Sequence, residues 1–289
     1  RGVGKMQYDL IIIGGGPGGL SAAYYLELMG HHAVVFEEKS KLGGMLRYGI
    51  PNYRFPRERL QEDIDTILST GVEVKLNTRV GNGEGEISYN KLHEEYDAVY
   101  IAIGAHTDKK IGIEGEDANG VMSAVEMLRR IGDDDMPDFK DKTVVVVGGG
   151  NVAMDAARTA LRLGAEVHII YRRSEEELPA RKEEVHHAKE EGIIFKFLNN
   201  PAAIVGYDNG WVKGMEIIKQ ELGEPDASGR RKPVEVPDSE FVMDLDAVIM
   251  SLGTSPNPLI SSTTKGLEIN KRKCIVAEEA NGQTSKEGV

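Results

Sequence analysis

The sequence predicts an α/β protein with two parallel-sheet units, and three observations carry that reading. A β-branched strand running into a glycine-rich turn and then a helix occurs twice, first around residues 8–29 and again around 143–163. Each turn has the spacing Gly-x-Gly-x-x-Gly/Ala, which permits a tight bend, close approach of a pyrophosphate and close packing of helix on strand. The chain has 289 residues, enough for two domains at roughly 100–200 residues each. Two copies of one such unit predict two Rossmann-like dinucleotide-binding domains, because a solenoid needs at least three shorter repeats.

The elements follow in order. Residues 8–13 read as a strand, 20–29 as a helix ending before Gly30, and 33–37 as a second strand in parallel with the first. Residues 40–56 lack a period and form a long ordered loop, whereas 57–69 place Leu60, Ile64, Ile67 and Leu68 on one helical face. Residues 72–76 and 97–103 are strands, 81–86 an exposed turn and 123–131 a helix. The acidic stretch 132–137 reads as a solvated surface connection near a domain seam. Strand 143–147, helix 152–163 and strand 166–171 make the second unit, followed by helix 185–191. The segments 193–198, 202–205, 212–219 and 241–244 read as strands of a small meander, and 246–252 as a strand ending like 97–104. The remainder, 254–289, shows little periodicity and no helix.

Composition excludes several classes. Lys and Arg total 35 against 47 Asp and Glu, a net charge of −12 that disfavours nucleic acid. Cys274 is the sole cysteine, so the chain offers no internal disulfide, CxxC pair or self-contained four-thiolate cluster. No apolar run approaches the roughly 20 residues of a membrane span, and no charged leader precedes the first strand, so a soluble cytoplasmic protein without membrane contact is expected. The adjacent pairs His31-His32 and His186-His187 point apart on a strand or helix, and no metal site is assigned.

The residues around the turns specify the ligands. Gly14, Gly16 and Gly19 form the first turn, with Pro17 opening the helix. Glu37 stands close to the roughly 20-residue offset at which a carboxylate takes ribose hydroxyls, and Glu38 takes that role if the strand ends one residue later. Gly148, Gly150 and Ala153 form the second turn, with Asn151 and Val152 entering the helix. Asn151 is read either as a helix cap or as a ligand contact, and Asp155 as a dipole partner or a contact. After the next strand stand Tyr171-Arg172-Arg173 rather than an acid. Arg172 and Arg173 either grip a 2′-phosphate with forked hydrogen bonds, giving NADP, or are solvated cations beside Glu175, Glu176 and Glu177.

Between the turns lies Gly43-Gly44-Met45-Leu46-Arg47-Tyr48-Gly49-Ile50-Pro51. Further on stand Leu178-Pro179-Ala180-Arg181, Glu221-Leu222-Gly223-Glu224-Pro225-Asp226-Ala227-Ser228-Gly229-Arg230-Arg231 and Ser251-Leu252-Gly253-Thr254-Ser255-Pro256-Asn257. With the two turns these resemble the glutamate synthase small-subunit family, which includes the flavin region of dihydropyrimidine dehydrogenase. The resemblance implies an FAD domain (1–106 and 254–289) interrupted by an NADPH domain (107–253), with hydride passing from NADPH to FAD and electrons leaving to an iron–sulfur acceptor subunit or ferredoxin. It places FAD on Gly14, Gly16, Pro17, Gly19 and Glu37 or Glu38. Gly43, Gly44, Met45, Leu46, Arg47 and Gly104 lie toward the flavin, and NADPH falls to Gly148, Gly150, Asn151, Val152, Arg172, Arg173 and Gly253. Met45 is a flavin contact or plain packing.

The family's cysteine-rich N-terminal cluster region and C-terminal Gly-Asp segment are absent, so the 289 residues are expected to be a fragment of a longer chain or one whose end is not represented. Without that segment the flavin would be partly uncovered. No catalytic triad is expected, because the flavin itself accepts the hydride. A homo-oligomer is compatible with the sequence. Two other readings are a non-catalytic NADP-binding module tethering a partner subunit and a stand-alone flavin reductase of ferredoxin-NADP reductase type. Thioredoxin reductase shares the opening turn but needs a CxxC that this chain lacks.

Overall fold

The computed structural model describes residues 7–225, 227 and 229–289; Asp226 and Ser228 of the 221–231 motif lie outside the described residues. The chain divides into two compact units, Arg1–Thr107 with Thr254–Val289, and Asp108–Gly253.

In chain order the first unit contains β1 (Asp9–Ile13), α1 (Pro17–Leu28), β2 (His32–Phe36), α2 (Met45–Tyr48), α3 (Arg57–Leu68), β3 (Glu73–Lys75), α4 (Tyr89–Glu95) and β4 (Ala98–Ile101). Its sheet runs β3-β2-β1-β4, every pair parallel. The apolar runs of β1 and β2 are buried on both faces, as a parallel sheet requires. Ile11, Ile13, Val34 and Phe36 pack with Tyr89, Leu92 and Val99 on one side. Ile12 and Val35 pack with Leu20, Leu60 and Ile64 on the other. The alternation of neighbours along each strand follows from its period of two.

The chain leaves through β5 (Thr107–Asp108) and enters β6 (Val121–Ser123), α5 (Ala124–Gly132), β7 (Thr143–Val147), α6 (Asn151–Arg162), β8 (Glu166–Tyr171), a 3₁₀ turn (Glu175–Glu177) and α7 (Lys182–Glu190). There follow β9 (Ile194–Phe197), β10 (Asn199–Gly206), β11 (Val212–Pro225), β12 (Arg231–Glu235), β13 (Phe241–Asp244) and β14 (Ala247–Met250). A five-stranded parallel sheet runs β6-β14-β7-β8-β9. Val144, Val146, Val167 and Ile169 face the helices. Val145, Val147, Ile170 and Val248 face Ile204, Met215 and Ile217 of a separate antiparallel sheet. The chain returns through β15 (Thr254–Ser255), which pairs with β5, and ends beyond α8 (Leu259–Thr263).

Four expectations change. The strand near 193–198 is not part of the meander: β9 is the edge strand of the parallel sheet, with Phe195 packed on its core. The meander contains an unforeseen strand, β12, paired with an extended β11. Helices α4 and α8 occur where none was expected. The acidic stretch 132–137 belongs to the second unit, and its Asp133 and Asp135 pair with Arg129 and Arg130 of α5 instead of standing simply solvated. Among the described residues no helix is long and apolar enough to cross a membrane.

Candidate functional site: two glycine turns

At the first turn, sterics dictate the glycines. Gly14 has φ +112°, and a Cβ there would lie 2.3 Å from the Ala102 carbonyl oxygen at the end of β4. A Cβ on Gly19 would lie 2.0 Å from the Gly14 oxygen, so helix α1 touches the turn it leaves. Gly16 differs: its Cβ would meet only the Gly44 Cα, at 3.6 Å. It caps α1 without a side-chain bond, and Pro17 supplies the first helical residue. The backbone is thus close-packed on the protein side and open at the helix N-terminus, the arrangement an anionic diphosphate needs.

Glu37 is buried behind this turn. Its Oε2 accepts from the Gly15 N–H at 2.7 Å and its Oε1 from the Lys39 N–H at 2.8 Å. Burial raises its carboxyl above the usual value, and the two backbone donors oppose that shift. Glu38 instead meets Lys39 (3.4 Å), Arg79 (3.6 Å) and His106 (3.7 Å). The carboxylate held against the turn is therefore Glu37.

The 43–51 loop docks on the same turn. Gly43 donates to the Gly15 carbonyl at 2.8 Å, and Gly44, at φ +51°, comes so near that its Cβ would lie 2.6 Å from the Gly16 Cα. Met45 is exposed, while Leu46 packs partly against the core. Arg47 is buried and serves the loop, its Nε donating to the Leu42 carbonyl at 2.5 Å and its Nη2 to Gln61 at 2.8 Å. Arg57 of α3, not singled out from the sequence, donates to the Leu46 and Ile50 carbonyls at 2.8 and 2.6 Å. Gly104 ends the crossing strand at φ +65° with open space where a Cβ would be.

The second turn repeats the device. Gly148 has φ +141°, and its Cβ would lie 2.3 Å from the Ser251 oxygen at the end of β14. A Cβ on Gly150 would meet nothing within 4 Å. Gly253, at φ +88°, is similarly open. Gly149 is covered by Leu178 and the Tyr171 ring, each 2.7 Å from where its Cβ would stand. Gly150, not Asn151, is the N-cap; the Asn151 Oδ1 accepts from the Arg181 N–H at 2.9 Å, joining the start of α6 to the segment before α7. Val152 is exposed and Asp155 buried. Arg172 is exposed, whereas Arg173 is buried and donates from Nε to the Arg231 carbonyl at 2.8 Å.

The expected histidine pairs have ordinary partners: His31 Nδ1 accepts from the Tyr8 N–H, and His186 lies 3.1 Å from Glu190. Among the described residues no group of three or more His, Cys, Asp or Glu could hold a metal ion.

Two units, each with a glycine turn at the carboxyl end of a parallel sheet, make an α/β fold of the dinucleotide-binding type. The sequence pattern of the family described as pyridine nucleotide-disulphide oxidoreductase matches residues 8–289, and the chain belongs to that family. It is 46% identical over 281 residues to the NADP(+)-dependent formate dehydrogenase subunit beta of Moorella thermoacetica, covering 96% of this chain and 39% of that one. It is 37% identical over 291 residues to the glutamate synthase [NADPH] small chain of Escherichia coli K12, covering 97% and 61%. The resemblance carried by the motifs is thereby shown as homology. The chain spans only part of the length of these relatives. Among solved structures, FprA of Mycobacterium tuberculosis in complex with NADPH has a TM-score of 0.75 at 20% identity, covering 92% of this chain and 74% of that one. Thioredoxin reductase of Lactococcus lactis has a TM-score of 0.70 at 20% identity, covering 98% and 88%. Both likenesses show the fold.

Proposed function

We propose that this chain holds FAD at the first glycine turn and NADPH at the second, and carries the NADPH-oxidising half of a flavoprotein whose electrons pass to an iron–sulfur partner subunit or a ferredoxin. The observation that carries this reading is the contrast after the second strand of each unit, a buried glutamate against Gly15 in one and Tyr171-Arg172-Arg173 in the other. The residues fit the ligands. Gly16 and Gly150 leave room at a helix N-terminus where any side chain would intrude on a diphosphate.

In this reading Gly14, Gly16, Pro17 and Gly19 receive the FAD diphosphate and Glu37 orients its ribose. Gly43, Gly44, Met45 and Leu46 line the way to the flavin, with Arg47 and Arg57 fixing that loop and Gly104 closing its side. Gly148, Gly150, Asn151 and Val152 receive the NADPH diphosphate, Arg172 meets its 2′-phosphate, Arg173 braces the loop and Gly253 leaves room at the return crossing. FAD, when bound, supplies a two-electron acceptor for hydride, so the protein's task is orientation and electrostatics. The names of the relatives, beta subunits and small chains, support a subunit partner for this chain. A single cysteine suits a reducing, cytoplasmic setting.

Anaerobic titration of the FAD-loaded chain, followed in the visible spectrum, tests the proposal. NADPH is expected to bleach the flavin at concentrations where NADH does not. Equal bleaching by both removes the assignment of Arg172, and failure to retain flavin removes the catalytic reading in favour of a nucleotide-binding module. Arg172→Ala is expected to weaken NADPH about 10-fold relative to NADH, as loss of one charge-assisted contact implies.

A further inference from the structure

Strand β11 is 14 residues long, and only its first part lies in the antiparallel sheet with β10 and β13. The remainder pairs with β12 alone, as a two-stranded ribbon whose register breaks between Leu222 and Pro225. Glu221, Glu224, Pro225, Lys232, Val234 and Glu235 along it are exposed. A two-stranded ribbon without a core of its own is marginal in water, so other contacts must hold its tip.

Among the described residues, Arg230 and Arg231 beside the tip bond to the end of β8 and to the loop that follows it. The Arg230 Nη2 donates to the Tyr171 hydroxyl at 2.9 Å and to the Glu177 carbonyl at 3.1 Å. Arg173 donates to the Arg231 carbonyl, and the Arg231 Nε meets the Glu177 carboxylate at 2.8 Å. Glu177 in turn accepts from the Ser174 hydroxyl and backbone N–H, closing a capping box. Tyr171 is the link that matters: its ring covers Gly149 and its hydroxyl meets Arg230, so the ribbon tip is one side chain away from the second glycine turn. Tyr171 also immediately precedes the exposed Arg172.

We propose that the ribbon is a specificity arm for the nucleotide of the second unit, with Arg230 supplying, beside Arg172, a guanidinium for a phosphate monoester on the adenosine ribose. Arg173 and the Arg231–Glu177 pair are positioning groups that lock the arm to the loop. The inference rests on the proposed NADPH site and adds a residue to it from a distant part of the sequence. It assigns the buried arginine of the Tyr-Arg-Arg motif to the frame and brings the second cation from a hairpin 59 residues beyond Tyr171.

Titration calorimetry on the full chain, with NADPH, NADH and adenosine 2′,5′-bisphosphate as probes, tests this. Arg230→Ala is expected to weaken NADPH and the bisphosphate about 10-fold, as one lost charge-assisted contact implies, with NADH unchanged. Arg230→Lys is expected to recover part of that loss. Arg230→Gln, which keeps a donor for Tyr171, is expected to behave like the alanine variant and serves if that variant does not fold. Selective loss confined to NADPH and the bisphosphate in a variant that melts like the parent supports the arm. Unchanged NADPH affinity, or equal loss of NADPH and NADH, overturns it. A selective loss seen only in Arg172→Ala overturns the arm while leaving the proposed function standing, and a parent chain that binds neither NADPH nor the bisphosphate overturns both.

Discussion

The two glycine turns share a backbone and differ in what surrounds it. Gly14 and Gly148 occupy the same left-handed region and press equally hard on the carbonyl that ends the neighbouring strand, Ala102 in one and Ser251 in the other. Three positions further on from the open glycine the turns part. Gly19 has no room for a methyl group, whereas Ala153 carries one and is fully buried. Behind the first turn a second glycine pair, Gly43-Gly44, presses on Gly15 and Gly16; behind the second, the Tyr171 ring does so. In the proposed reading, the turn supplies a general diphosphate site and the elements that pack behind it set the identity of the nucleotide.

The largest effect that would sharpen this contrast is expected at position 19. Gly19→Ala should destabilise the first unit by about 3 kcal/mol, because an overpacked methyl has only backbone to displace. Ala153→Gly in the second should cost about 1 kcal/mol, the helix-interior penalty of glycine. Urea denaturation of the two variants makes the comparison, and equal costs would mean that the turns are packed alike.

Next comes an ion cluster of the second unit, Arg158 and Arg162 with Glu184 and Glu191. Arg162 first, and Arg158 with it, holds the Glu191 carboxyl down to about 2, and Arg158 is itself buried with Glu184 as a second partner. A depressed carboxylate stabilises the fold above its unfolded value, and that contribution fades as pH falls from about 4.5 toward about 2. Glu191→Gln should cost about 2 kcal/mol at neutral pH, the usual worth of hydrogen bonds to charged groups. It should also flatten the acid limb of melting temperature against pH over that window; an unchanged limb would place the acid sensitivity elsewhere.

A smaller effect on stability, with a larger one on binding, is expected at the open glycines. Gly150→Ala meets no atom and has φ −88°, so its melting temperature should match the parent while NADPH affinity falls. A variant that loses both would show that the open side is not open. Smallest of all, Asp135→Asn should leave the melt unmoved, since its pair with Arg130 is on the surface.

The parts legible in the sequence were those with a strong local cause. Glycine spacing, β-branched runs and the Tyr-Arg-Arg motif fix the two turns and the central strands, because parallel strands buried on both faces read as continuous apolar stretches. What escaped has weak local cause. Helix α4 buries only Tyr89 and Leu92, too few for a period. Strand β12 is Arg-Lys-Pro-Val-Glu with no buried residue, so pairing with β11 is its whole reason to be a strand. Arg230 was visible as part of a motif, but its approach to Tyr171 depends on that ribbon. Arg47, expected beside Gly44 as a cofactor contact, is buried and donates to the Leu42 carbonyl and to the Gln61 side chain of α3, partners that sequence spacing does not show.

The sheet of the first unit has one contact with a consequence for synthesis. The N–H of Val99 on β4 donates to the Gly288 carbonyl at 2.8 Å, and Ile260 and Leu267 sit in the core that β4 shares. A ribosome delivers the chain from its amino end, and domains generally fold as their residues emerge. The second unit, continuous from Asp108 to Gly253, has all its residues well before the first has its last. The opening strands must therefore wait, with Ile11, Ile13 and Val99 lacking part of their cover, until the middle of the molecule has already been made.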